Sequence, residues 1–135
     1  MSSEHIVKSF DDQLRRLENL IAEMGGLAEA QLSDAIDAMS KRDLDKAARV
    51  TAEDQRIDDL ELLVDQEAIA MLALRQPMAK DLREIVGALR AASMLERIGD
   101  HATNIAEVVI FVVRGRTPGD QRPKDDVTSF TVLQA

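Results

Sequence analysis

A segment without internal proline, from residue 77 to about residue 114, is typical of one continuous helix and carries the most informative pattern in the chain. Turning it by about 100° per residue places four oxygen-bearing side chains on one line. These side chains belong to Glu96, Asp100, Asn104 and Glu107. Apolar residues occupy the same line earlier in the helix, so the acids stand where a buried stripe should continue. Because an isolated buried carboxylate is very costly, we expect these groups to be hydrogen-bonded, ion-paired or bound to a cation.

The apolar residues of this segment predict its buried surface. Before residue 96 they lie on the same line as the acids, and after it they change to the other side of the helix. The predicted buried positions are Leu82, Val86, Leu89, Ile98, Ala102, Ile105, Val109 and Val112.

Composition favours a helical bundle and argues against several classes of function. The 135 residues include no cysteine, which removes disulfides, thiolate catalysis and cysteine-ligated metal sites. A net charge of −8 and 2% aromatic residues argue against a nucleic-acid partner. No apolar run reaches the roughly 20 residues needed to cross a bilayer, and the first residues do not resemble a signal peptide. A cytoplasmic protein without a membrane span is therefore expected.

Apolar residues recur at spacings of three and four along most of the chain, which predicts three long helices. The predicted helices span residues 10–41, 43–74 and 77–115. Short turns join them, so the expected fold is all-α: an antiparallel three-helix bundle with the up-down-up course of a spectrin repeat. The bundle is predicted to cover residues 1–115. Residues 116–135 are rich in turn formers and end in a short apolar segment, which predicts a linker and the start of a missing second repeat.

Local signals predict where the helices begin and end. Ser9 and Ser40 each precede an acidic residue by three positions, a capping pattern, and residues 1–8 are predicted to be a flexible lead. Pro77 suits the first turn of the third helix, and Gly115 suits its end.

Small residues predict where helices approach one another. Gly25 and Gly26 fall inside the first helix, where they predict a local kink or a close helix contact. In the third helix, the residues small enough for close approach are Gly87, Ala91, Ala92 and Gly99.

Two segments have the pattern acid-x-x-x-Asp, with two carboxylates about one helical turn apart. They contain Asp54 with Asp58 in the second helix and Glu96 with Asp100 in the third. If the segments face each other, they offer hard oxygen ligands suited to Mg²⁺, Ca²⁺, Mn²⁺ or iron. The second helix carries four acids at this spacing in all: Asp54, Asp58, Glu61 and Asp65.

Three arginines recur every seven residues in the third helix, at Arg83, Arg90 and Arg97. They are candidates for pairing with the acids of the second helix and for binding a partner. Two alternatives to a metal site therefore stay open: a solvated acidic face, and acids paired with these arginines.

No catalytic residue is predicted. Di-iron carboxylate bundles use Glu-x-x-His pairs, and neither His5 nor His101 follows a glutamate at that spacing. His101 is predicted to be exposed or to support a site indirectly. A carboxylate-bridged metalloenzyme and a purely structural, self-associating helical module remain the alternatives to a regulatory protein.

Five segments carry a resemblance to a known family, and the first two are residues 23–29, which read EMGGLAE, and residues 54–61, which read DQRIDDLE. Residues 73–79 read ALRQPMA, residues 81–86 read DLREIV and residues 95–107 read LERIGDHATNIAE. Together they resemble the PhoU family of phosphate-specific transport system accessory proteins, and the likeness covers about residues 5–115. The resemblance implies a three-helix unit, usually present twice in one chain, of which this sequence holds the first.

The resemblance also implies a function. Members are cytoplasmic, non-enzymatic regulators that restrain the phosphate-starvation response. They link the ATPase subunit of the ABC phosphate importer to a sensor histidine kinase, and these partners hold them at the inner membrane. Because a lone unit leaves apolar surface uncovered, a homodimer is predicted.

Some members carry iron or zinc on their acidic motifs, so the resemblance implies a divalent or iron-type ion here: Fe, Zn, Mg or Mn. The residues that match those motifs are Asp54, Asp58, Glu96 and Asp100. Weaker candidates from helical geometry are Glu61, Asn104 and Glu107.

Overall fold

A computed structural model describes residues 3–115 of the chain. They form three helices, α1 (Ser3–Lys41), α2 (Leu44–Arg75) and α3 (Ala79–Arg114), and each helix packs against both others. The predicted all-α, three-helix bundle is confirmed. Within the described residues, no helix has the length and apolar character required to span a membrane. The linker predicted at residues 116–135 lies outside the described part of the chain.

The start of α1 differs from the prediction, because the helix already begins at Ser3. Ser9 is therefore not a cap but an interior helical residue, and its Oγ accepts a hydrogen bond of 2.7 Å from Nη2 of Arg75. Nε of Arg75 donates to Oε1 of Gln13 at 3.1 Å. One guanidinium thus ties the end of α2 to the first turns of α1, which explains why the chain is ordered before the predicted start.

Asp43 caps α2 at its N-terminus. Its Oδ1 accepts a hydrogen bond of 3.0 Å from the backbone N–H of Lys46, and its own N–H donates to the carbonyl of Ala38 at 2.9 Å. Ser40, predicted as the cap, lies inside α1 instead. Arg42 makes the turn with a left-handed backbone (φ 53°), an uncommon conformation for a residue other than glycine.

An ion-pair cluster fixes the same end of the bundle. Lys46 Nζ lies 2.6 Å from Oδ2 of Asp37, and Lys41 Nζ lies 3.2 Å from its Oδ1. The bonds from Lys46 and then Lys41 hold the pKa of Asp37 below its ordinary value, and Asp37 raises the pKa of Lys46. A lowered folded-state pKa means that the contribution of Asp37 to stability is present above its unfolded pKa and is lost on acidification.

The turn between α2 and α3 contains the only proline of the described residues, Pro77. Pro77 was predicted in the first turn of α3 but precedes it, because the chain extends through Met78 (φ −118°) before the helix begins. Gln76 and Ala79 on either side have left-handed backbones. At the other end of α3 the predicted stop is confirmed: Gly115 has φ 73°, and its N–H donates to the Phe111 carbonyl at 2.7 Å.

The core consists of two clusters of different composition. The large-residue cluster lies towards the α2–α3 turn, and the alanine cluster lies towards the α1–α2 turn. The large-residue cluster includes Leu17, Met24, Ile57, Val64, Met71 and Ile85. The alanine cluster consists of Ala35, Ala38, Ala47, Val50, Ala102, Ala106 and Val109.

The buried face of α3 runs between the two lines predicted from the sequence. Ile85, Ala92 and Ala106 are fully buried, whereas Leu82 is 40% and Val112 is 53% exposed. Of the other predicted positions, Ala102 and Val109 are buried and the remaining four are half-buried. The two apolar lines are therefore the flanks of the core face, which itself is formed mostly by small residues.

Candidate functional site

Gly99 of α3 is buried where side chains of both other helices come near its backbone. A Cβ atom at this position would lie 3.1 Å from Oε1 of Gln31, 3.2 Å from Cδ1 of Ile57 and 3.4 Å from Oδ1 of Asp54. A side chain at this position would therefore fit only if its neighbours shifted by a few tenths of an ångström. The other glycines predicted at close contacts, Gly25, Gly26 and Gly87, have open space around the corresponding point.

The level of Gly99 is also the boundary between the two core clusters. On α1 the boundary residue is Gln31, which is 2% exposed, and on α2 it is Asp54, which is completely buried. We call Gln31, Asp54 and Gly99 the polar layer. Each helix contributes one member, so the three core positions at this level hold a polar residue or glycine rather than a large apolar residue. Two further buried polar residues, Thr103 and Glu107, follow Gly99 on α3.

The acids predicted to form a site lie on α2 and α3, two helices that pack against each other. These helices are antiparallel neighbours, and Asp54 lies against α3 at Gly99. One helical turn further along α2, Asp58 therefore lies at the level of Glu96, while Asp100 stays at the level of Asp54. We call Asp54, Asp58, Glu96 and Asp100 the acidic groove.

None of the acids in the two predicted lines is a freely solvated surface group. Asp54 and Glu107 are completely buried. The half-buried members are Asp58, Glu61, Asp65, Glu96, Asp100 and Asn104. Each of the seven predicted metal-site residues takes part in a polar or electrostatic interaction within the fold. The oxygen-bearing edge of α3 is thus buried or half-buried, as its position along the helix predicted.

Whether these residues suit a metal ion depends on how many ligands they bring together. Within residues 3–115, no three His, Asp or Glu side chains are arranged as a group that could hold a metal ion. A cation in the groove would then rest on two carboxylates with water ligands, an arrangement that Mg²⁺ often adopts, or on a changed set of rotamers. Metal binding here stays a prediction.

The predicted arginines lie away from the core. Arg83, Arg90 and Arg97 are all exposed on α3, and so is His101. Both surfaces singled out in the third helix therefore exist, but they differ in kind: the acids are partly enclosed and the arginines are open to solvent.

Gln31 was missed by the sequence reasoning, although a signal was present. The apolar series of α1 advances by three or four residues up to Ala28 and resumes at Ala35, leaving a gap of seven. Gln31 fills the missing core position. A polar residue in a gap of an otherwise regular series is the pattern that would have found it.

Comparison with known proteins agrees with this architecture. A family model of the PhoU domain matches residues 21–109. The phosphate-specific transport system accessory protein PhoU homolog of Rhizobium meliloti is 45% identical over 118 residues, covering 87% of this chain and 50% of the relative. The homolog of the same name in Xylella fastidiosa is 49% identical over 105 residues, covering 78% of this chain and 43% of the relative.

A solved structure extends the likeness to three dimensions. The crystal structure of PhoU from Pseudomonas aeruginosa superimposes with a TM-score of 0.74 at 32% identity, covering 93% of this chain and 58% of that one. The chain thus spans about half the length of the relatives that it matches. With the family model covering most of the bundle and relatives at this level of identity, the chain belongs to the PhoU domain family.

Proposed function

We propose that this chain is a non-enzymatic, cytoplasmic regulator of phosphate uptake that restrains the phosphate-starvation response. One observation carries the proposal: 45% identity over 87% of the chain to a protein named for its accessory role in phosphate-specific transport. The motifs at residues 73–79 and 95–107 both lie inside the matched domain, which spans residues 21–109.

We propose that the chain acts as an adaptor between the ATPase subunit of the phosphate importer and the sensor histidine kinase. Two exposed faces of different chemistry support this role. α2 exposes Leu62 and Ile69, whereas α3 exposes arginines at Arg83, Arg90 and Arg97. The basic face of α3 is available to a partner protein even when a second copy of the chain covers the apolar face of α2.

The experiment uses bacteria that lack their own PhoU protein and carry a reporter of the phosphate-starvation response. Expressing this chain in high phosphate is expected to lower reporter output, and its pull-down is expected to retain the importer ATPase subunit and the sensor kinase. A matched strain expressing Leu62→Lys/Ile69→Lys tests the apolar face. Unchanged reporter output at a normal level of folded chain would refute the regulatory role.

A homodimer belongs to the same proposal. Leu62 is 57% and Ile69 is 62% exposed, seven residues apart on the side of α2 away from the core. Large exposed apolar side chains at that spacing mark an interaction surface, and a twofold axis would pair the surface with itself. Light scattering is expected to give twice the 14.9 kDa chain mass, and Leu62→Lys/Ile69→Lys to give the single mass. A wild-type monomer at high concentration would contradict the dimer.

We also propose that the acidic groove binds a divalent or iron-type cation through two carboxylates and water ligands, and the most accessible candidates are Asp58, Glu96 and Asp100. All three are half-buried, so each carboxylate is within reach of water and small ions. A bound cation would neutralise facing carboxylates of α2 and α3 and so brace the two helices against each other.

A further inference from the structure

The outward side of α3 carries a regular line of exposed residues. Its positions alternate in steps of four and three, and every one of them is exposed. We call this line the outer stripe: Arg83, Gly87, Arg90, Met94, Arg97 and His101.

The charge of the outer stripe is opposite to that of the molecule as a whole. The chain has a net charge of −8, yet the stripe holds three guanidinium groups and no acid over six successive positions. The acids of the same helix lie outside the stripe: Glu84 is exposed, Asp81, Glu96 and Asp100 are half-buried, and Glu107 is buried. An acidic partner is therefore repelled by most of the protein and attracted to this one line, which is how charge patterns select a docking position.

The shape of the outer stripe suits a helix. Alternation of four and three residues is the spacing of a coiled-coil seam, and residues 83 to 101 give it a length of about 27 Å. Met94 is 62% exposed and offers an adaptable apolar contact. At Gly87 no atom lies within 4 Å of the point where a Cβ would stand, so a partner side chain has room there.

We infer that the outer stripe is a docking seam for an acidic amphipathic helix of a partner protein, an inference that rests on the adaptor role proposed above. Carboxylates seven residues apart on that helix face Arg83, Arg90 and Arg97. Guanidinium groups bind carboxylates through two parallel hydrogen bonds, which fixes register as well as affinity. Apolar residues between those carboxylates contact Met94 and fill the space at Gly87.

The test measures binding of a fluorescent three-heptad helical peptide to the full chain by anisotropy. The probe has leucine at the positions facing Gly87 and Met94 and glutamate at those facing the arginines, and a second probe has lysine in place of glutamate. The glutamate probe is expected to bind, with affinity falling as salt is raised. Arg90→Glu/Arg97→Glu is expected to weaken it about tenfold or more.

Arg15→Glu/Arg49→Glu is the matched control, because both arginines are exposed, lie on the other two helices and give the same net charge. It is expected to bind within about threefold of wild type, since charges beyond a Debye length are screened. If charge reversal disturbs the circular dichroism spectrum, Arg90→Gln/Arg97→Gln replaces it.

Three results would overturn the inference. The first is an equal loss of affinity in the control, which would make the effect one of net charge. The second is failure of the glutamate probe to bind wild type more tightly than the lysine probe does. The third is conversion of a dimer to a monomer by Arg90→Glu/Arg97→Glu, which would assign the stripe to a second copy of the chain. None of these results depends on the reporter assay, so the two proposals fail separately.

Discussion

Replacing Gly99 with valine is expected to lower the free energy of unfolding by about 2–3 kcal/mol, because the new side chain has no space to occupy. Its Cβ alone would lie 3.1 Å from Gln31 Oε1 and 3.2 Å from Ile57 Cδ1, and two methyl groups extend further. The side chains of Gln31, Ile57 and Asp54 would have to shift within the tightly packed polar layer. Thermal or urea unfolding followed by circular dichroism measures the loss, which corresponds to a decrease in Tm on the order of 10 °C.

Gly26→Val is the control for this substitution. It makes the same chemical change inside a helix, but Gly26 is exposed and nothing lies within 4 Å of its Cβ position. Stability is expected to stay within about 0.5 kcal/mol of wild type, since valine and glycine differ little in helix propensity. Equal losses at the two sites would assign the effect to the β-branched side chain and would contradict the close approach at Gly99.

The second large effect is expected from metal binding at the acidic groove. A ligand present at roughly 100-fold its Kd stabilises the folded state by about 2.7 kcal/mol if it does not bind the unfolded chain. We therefore expect Fe²⁺, Zn²⁺, Mn²⁺ or Mg²⁺, tested one at a time against EDTA, to raise Tm by several degrees for at least one ion. Asp100→Ala is expected to remove that increase, because it takes one carboxylate from the groove.

The discriminating comparison is between metal-loaded and metal-free protein. Asp12→Ala, which removes an exposed acid of α1, is expected to keep the metal-dependent increase. A decrease of the same size in metal-free and metal-loaded Asp100→Ala would show that Asp100 supports the fold without a cation. Absence of any ion-dependent change in wild type would refute the metal proposal, and elemental analysis of gently purified protein provides an independent check.

Much of the fold could be predicted from the sequence because its main signals are local. The regular apolar series predicts three helices, and Gly115 ends the third because it adopts φ 73° without strain. The helix starts were less predictable. Ser9 has the sequence of a cap, but the bonds from Arg75 to Ser9 and Gln13 hold the preceding turns in the helix. These bonds join residues more than 60 positions apart, so the sequence around Ser9 does not reveal them.

The burial of Asp54 and the partial burial of Asp100 could be predicted from the sequence, whereas the position of Gln31 in the polar layer was not predicted. Asp54 and Asp100 stand out because carboxylates interrupt an apolar pattern. The core face of α3 was predicted only in part. Ala92 and Gly99 were expected at close helix contacts, but small residues such as Ala106 carry a weak hydrophobic signal. The flanking Leu82 and Val112 are large but partly exposed. How close two helices approach depends on their mutual packing, which one-dimensional periodicity does not record.

The division of the core also determines where the sequence has freedom to change. Leu, Ile and Met substitute for one another at modest cost when total volume is conserved, so the large-residue cluster accepts such exchanges. The alanine cluster does not accept such exchanges. Each of its alanines, including Ala38 and Ala106, is completely buried, and a larger residue would force the backbones apart. We therefore expect core substitutions to be tolerated better near the α2–α3 turn than near the α1–α2 turn.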